Sequence, residues 1–131
     1  MNLIRFEHIN MSCNDIEASR KFYQTLFPDW YIRAEGVFEG RRWLHFGNNQ
    51  FYLALNDDAG KKRVHQAYEN IGFNHVGFVI KDGASMLQLL DDAGIEYYSM
   101  TADETKYRIY VSDPDGNEIE LVEYQPEYAL R

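Results

Sequence analysis

Two histidines lie in similar settings, Phe6-Glu7-His8-Ile9-Asn10 and Phe73-Asn74-His75-Val76-Gly77, and a carboxylate, Glu120, stands in the last apolar run, Ile119-Glu120-Leu121. Imidazole nitrogens and one carboxylate, each on its own strand, make a facial ligand set. Such a set holds a divalent ion (Fe, Mn, Ni or Zn) on one side and leaves positions open for water or substrate. Tyr52, in Phe51-Tyr52-Leu53, is a fourth candidate inward position: a proton donor, a weak ligand or a wall of the site. Taken singly, a strand histidine is more often satisfied by ordinary hydrogen bonds. Glu118 shares the face of Glu120, so alternation alone does not choose between them.

These residues need elements to hold them. Residues 3–11 read as a first strand, with His8 and Asn10 on one face and Ile9 and Met11 on the other. Asn14 or Asp15 caps the following helix, and Asn14-x-x-Glu17 has the form of a capping box. Ile16, Ser19, Phe22, Tyr23 and Leu26 give that helix one apolar face, and Pro28 ends it. Strands follow at 30–34, 41–46 and 50–55, with Gly47-Asn48-Asn49 as a turn. Residues 57–72 are polar and charged and read as a linker. The order then returns: a strand at 73–80, a helix at 83–93 stopped by Gly94, and strands at 95–100, 107–112 and 118–124. Asp113-Pro114-Asp115-Gly116 is a strong turn before the last strand.

The chain is therefore read as a doubled β-α-β-β-β unit. His8 and His75 are sixty-seven residues apart, and Phe6 with Phe73, Ile9 with Val76 and Asp15 with Asp82 share that spacing. On the same spacing Tyr110 falls on Trp43, and a one-residue slip sets Tyr52 against Glu120. A repeated order of elements fixes architecture more firmly than the few identities do. The expectation is an α+β fold: one domain over 1–131, with modules at about 3–56 and 73–124 forming a curved mixed sheet around a cleft. Trp43, His45, Arg108 and Tyr110 alternate inward and are candidates for substrate contact. Arg108 is the candidate for a substrate carboxylate or phosphate, and His45 a candidate base.

Composition narrows the partners. A formal charge of −8 argues against non-specific nucleic-acid binding. The single cysteine, Cys13, excludes a disulfide framework and reads as a packing residue. No stretch approaches a membrane span or a signal peptide, so a cytoplasmic setting is expected.

The segments HINMSCNDIEASRKFYQTLF, FNHVGFVI and VSDPDGNEIELVEY resemble the vicinal oxygen chelate superfamily over nearly the whole chain. That superfamily includes glyoxalase I, extradiol dioxygenases, methylmalonyl-CoA epimerase, fosfomycin-resistance transferases and bleomycin-resistance proteins. The resemblance implies metal ligands at His8, His75 and Glu120; the distance from the DPDG turn selects Glu120 over Glu118. It implies a Glu or Gln at the Tyr52 position in glyoxalase I and the epimerase, from which Tyr52 departs. Residues 101–106 do not resemble the Ser/Gly-rich potassium loop of the fosfomycin enzymes. A homodimer is implied, in some members with sites shared across its interface.

Two functions follow as expectations. The first is a metal-dependent lyase or dioxygenase acting on a small substrate that chelates through adjacent oxygens, with Glu120 and Tyr52 as candidate catalytic groups. The second is a metal-free binder of the bleomycin-resistance type, holding a flat or cationic ligand among Trp43, Tyr52 and Tyr110.

Overall fold

A computed structural model describes residues 1–101 and 104–128. Its elements are β1 (His8–Cys13), α1 (Ile16–Leu26), β2 (Tyr31–Phe38), β3 (Arg41–Gly47), β4 (Tyr52–Asp57), β5 (His75–Val79), α2 (Gly83–Ala93), β6 (Tyr98–Met100), β7 (Thr105–Ser112) and β8 (Glu118–Tyr124). A short 3-10 turn, Pro126–Tyr128, follows. The fold is α+β, and the order β-α-β-β-β occurs twice. The chain forms two compact units, Met1–Lys62 and Arg63–Arg131. Ala102 and Asp103, within the segment compared with the potassium loop, lie outside the described residues.

In the first unit the sheet order is β1-β4-β3-β2. β1 runs parallel to β4, and the other pairs are antiparallel. A parallel pair needs a crossover, and α1 supplies part of it. Tyr23, Leu26, Leu44, Phe46 and Leu55 are buried where helix and sheet meet. The second unit repeats this as β5-β8-β7-β6, with β5 parallel to β8. Its core holds Leu90, Ile109, Ile119 and Leu121.

Both helices begin on an aspartate: Asp15 accepts from the Ala18 amide at 3.1 Å, and Asp82 from the Ser85 amide at 3.1 Å. The cap is thus Asp15, and the Asn14–Glu17 capping box does not form. Glu17 turns instead to Arg42 (2.6 Å) and Arg20 (3.1 Å), while Asn14 accepts from the Gly60 amide.

Three strands depart furthest from the expected bounds. β1 starts at His8 because β4 starts at Tyr52, its pairing partner; residues 3–7 have no strand to lie against beyond the bond from the Tyr52 amide to the Glu7 carbonyl. β2 continues to Phe38, where Glu39 (φ 51°) and Gly40 (φ 77°) make a tight turn into β3. Two positive φ values are what a two-residue hairpin turn requires. β6 is cut to three residues.

The register corrects the detailed equivalence of the halves. Tyr52 lies opposite His8, whereas Glu118 lies opposite His75. Glu120 lies opposite Gly77 and, across the hairpin, opposite Tyr110; Ala54 lies opposite Asn10 and His45. Ala54, not Tyr52, is therefore the counterpart of Glu120, and His45, not Trp43, that of Tyr110. The segment from the first strand to the hairpin is shorter in the second unit and the hairpin loop longer. A single sequence offset therefore fails after the helix.

Candidate metal and substrate site

In the second unit β5, β7 and β8 present His75, Arg108, Tyr110 and Glu120 on one face. Glu120 is only 8% exposed, on a strand face otherwise open enough to leave His75 exposed. Its Oε2 lies 2.9 Å from His75 Nε2. Its Oε1 lies 3.1 Å from Arg108 Nε and accepts from the Tyr110 hydroxyl at 3.2 Å. The Arg108 N–H does not point along that line, so the contact is Coulombic rather than a formed hydrogen bond. Gly77, opposite Glu120, leaves room for the carboxylate: an added Cβ would stand 3.8 Å from Oε2. Burial first, and then the Glu120 charge, push the Tyr110 phenol above its usual range. It stays a donor.

His75 is held from behind. Its Nδ1 lies 3.4 Å from the Tyr68 hydroxyl, and that hydroxyl donates to Glu118 in a short hydrogen bond. The Tyr68 oxygen is then free to accept from Nδ1–H. This leaves Nε2 to face the Glu120 carboxylate. A bare nitrogen lone pair 2.9 Å from a carboxylate oxygen is repulsive. The pair therefore needs a proton or a cation between its members, and the donor set is one a divalent ion accepts.

The first unit treats His8 in the same way. Its Nδ1 lies 2.8 Å from Glu7 Oε1, which also accepts from the Tyr52 hydroxyl at 3.1 Å. Hydrogen bonds from His8 and then Tyr52 hold the Glu7 carboxyl below the usual carboxylate range. The His8 ring stacks on Tyr52 (centroids 4.8 Å apart), Tyr52 on His45 (4.4 Å), and His45 against Trp43 (5.0 Å). Burial first, then the Glu7 hydrogen bond, raises the Tyr52 phenol. Burial, with the nearby His8 and Arg33 charges, lowers His45 and favours its neutral, base-competent ring. In both units a histidine therefore engages its Nδ1 with an oxygen, and in the second His75 Nε2 faces the Glu120 carboxylate. Ligating histidines commonly carry such an outer partner, which fixes tautomer and ring orientation. Within either unit, no three His, Cys, Asp or Glu side chains among the described residues form a metal cluster.

The sequence profile of the Glyoxalase/Bleomycin resistance protein/Dioxygenase superfamily matches residues 5–121. The chain belongs to this superfamily. It is 23% identical over 128 residues to the uncharacterized protein YqjT of Bacillus subtilis (strain 168), covering 88% of this chain and 95% of that one. Among solved structures it is similar to a mutant of the fosfomycin resistance protein FosX from Listeria monocytogenes, complexed with Mn(II) and 1S,2S-dihydroxypropylphosphonic acid. That match has a TM-score of 0.76 at 18% identity and covers 98% of each chain. A lactoylglutathione lyase from Agrobacterium tumefaciens gives a TM-score of 0.68 at 19% identity, covering 94% of this chain and 96% of that one. These structures share the fold with this superfamily member.

Of the residues expected from sequence, His75, Glu120, Arg108 and Tyr110 converge in one unit, and His8, Tyr52, His45 and Trp43 in the other. Arg108 turns its Nε to Glu120 at 3.1 Å, with its side chain 27% exposed. His65, in the polar segment between the two modules, is half-buried, and its Nε2 lies 2.7 Å from the Phe73 carbonyl. Sequence reading missed Glu7, Tyr68 and Arg33. The first was visible as an acid beside His8. Tyr68 has a positive φ (68°) in a polar segment and carries no signal at all.

The Tyr68 contact predicts a pH signature. Its hydrogen bond to Glu118 pushes the phenol up to about 12. The native fold favours the protonated phenol, so the contact is intact below the ordinary tyrosine range near pH 10 and is lost as pH rises toward the folded value. Spectrophotometric titration of the protein, less the curve of Tyr68→Phe, is expected to show one phenol ionising near pH 12. In Glu118→Gln that step is expected to return toward 10. A Tyr68 transition near 10 in the unaltered protein would show the contact to be absent.

Proposed function

We propose that this superfamily member is a metal-dependent enzyme of the lyase or dioxygenase kind. It would act on a small molecule that offers two adjacent oxygens. The observation that carries the reading is the buried Glu120 carboxylate facing His75 Nε2 at 2.9 Å, with Nδ1 of that ring already backed by Tyr68 and Glu118. His75 and Glu120 would be two ligands of the ion and His8 Nε2 the third. A bound divalent ion supplies Lewis-acid polarisation of a substrate oxygen.

The rest falls to side chains. Glu7 and Tyr68 hold the two imidazoles in the tautomer that keeps Nε2 free. Tyr110 and Tyr52, both held in the neutral form, are hydroxyl donors for a substrate oxygen that gains charge. Neutral His45 is placed to take a proton. Arg108 offsets the charge of Glu120. Among the relatives, the FosX complex contains Mn(II), which makes a divalent ion a sensible first choice to test. A homodimer accords with β1 and β5 being sheet-edge strands and with Phe6, Leu3 and Ile4 lying exposed beside β1.

The test is metal content after purification without chelator and after reconstitution with Mn, Fe, Ni and Zn. About one ion per chain, lost in a His8→Ala/His75→Ala double variant, supports the enzyme. No ion under any supply favours the binder of the bleomycin-resistance type.

A further inference from the structure

We propose that Arg33 forms an oxyanion-binding site on the first unit, and that the ligand taken there carries a carboxylate, phosphonate or phosphate group. Arg33 is the extra residue of a β-bulge. Ile32 pairs with Phe46 and Ala34 with His45, so Arg33 has no partner of its own on β3. A bulge re-aims a side chain against the alternation of its strand. Here it places the guanidinium carbon 4.6 Å from the Tyr52 ring centroid, on the face that carries His8, His45 and Tyr52.

The charge of Arg33 is otherwise unanswered. Its Nη1 is sealed from solvent and has no hydrogen-bond partner. Buried donors nearly always find an acceptor, because leaving one bare forfeits its hydration with no return. Glu7 is engaged with His8 and Tyr52, and Glu35, two residues along the strand, stands 3.9 Å from Arg42. Among the described residues no ion pair reaches Arg33. Stacking on Tyr52 orients a guanidinium but leaves its in-plane N–H groups free. Nη1 itself is closed off, but Arg33 is only part-buried and its other N–H groups are not sealed, so a ligand oxygen can reach them, and a planar fork suits a two-oxygen group. Arg108 does not compete for this role, since it faces Glu120 at 3.1 Å. A cationic ligand, by contrast, would meet Arg33 as a like charge.

The site stands on the geometry of one unit. It rests on the metal-enzyme reading only where the oxyanion is taken to be part of the same substrate. Chelator-treated protein is titrated with inorganic phosphate, methylphosphonate and acetate at constant ionic strength, followed by amide and imidazole NMR shifts. The expected result is saturable binding with shifts centred on Tyr52 and His45. Affinity should fall at least tenfold in Arg33→Gln and less in Arg33→Lys. Lys21→Gln, the same charge change on the exposed side of α1, should leave it unaltered. The relative strength of the three probes separates a phosphorus oxyanion from a carboxylate. Thermal melts of each variant show whether it is folded. Non-saturable binding, or binding equal in Arg33→Gln and the unaltered protein, overturns the proposal. Arg33-dependent anion binding in a protein that takes no metal would sink the enzyme reading and leave this site standing. Stoichiometric metal without anion binding would do the reverse.

Discussion

Glu120→Gln is expected to lose divalent-metal affinity by more than a hundredfold while the fold persists. Outer-shell partners of metal ligands already cost roughly 10–100-fold when removed, and Glu120 is proposed as a ligand itself. The amide keeps the shape and an acceptor oxygen but gives up the charge. Without metal the same change should also be felt. Glu120 is held by His75, Arg108 and the Tyr110 hydroxyl. Removing one member of a fully buried ion pair costs about 3–5 kcal/mol. His75 and Arg108 have side chains 35% and 27% exposed, so water recovers part of that. A loss of about 1–2 kcal/mol in the metal-free protein is the discounted expectation. Titration calorimetry with Mn(II), together with urea unfolding in chelator, reads both quantities. Unchanged metal affinity in Glu120→Gln would remove Glu120 from the ligand set.

Gly47→Ala is expected to destabilise the first unit more than any comparable one-carbon addition on its face. Gly47 closes β3 directly opposite Tyr52. A Cβ there would stand 2.2 Å from the Phe51 carbonyl oxygen and 2.5 Å from Tyr52 Cα. Both are backbone atoms and cannot swing aside as a side chain can. The turn below them is fixed by Asn48, whose Oδ1 accepts from the Gln50 and Phe51 amides. Overpacking usually costs about 1–3 kcal/mol, and a backbone clash puts this case near the upper end, about 3 kcal/mol. Folded domains have only about 5–15 kcal/mol to lose. Tyr52 must move with its backbone, so the His8–Tyr52–His45 stack should loosen too. Denaturant unfolding checks the stability. The Tyr52 ring shifts check the site. Gly36→Ala makes a useful comparison, since its Cβ would meet only the Trp43 side chain, at 2.8 Å. If Gly47→Ala proves as mild as that variant, the close approach is not as described.

The elements with a strong local signal were readable from the chain. Gly94 stops α2, as its place after the apolar face suggested, with φ 68°. Asp113, which accepts from the amides of Asp115 and Asn117, makes the DPDG turn legible because its side chain acts on near neighbours. The face carrying His75 and Gly77 followed from strand alternation, which is local too. Features that depend on a partner strand were not readable. The start of β1 was set by where β4 begins. The counterpart of Glu120 became Ala54 because pairing register, not residue type, aligns the halves.

What this sequence determined by itself was the doubled β-α-β-β-β order and the residue types of the proposed site: two imidazoles, a carboxylate and a set of aromatics. Periodicity, caps and turns encode these within a few residues. Only the tertiary structure decided which atoms those residues offer. Glu7 and Tyr68 engage the two Nδ1 atoms, Glu120 takes up Arg108, and a bulge on β2 brings Arg33 over Tyr52. Each of these depends on side chains many residues apart or on one extra residue in a ladder. The free energy of such contacts exists only once the strands are paired, and no local pattern in the chain records it.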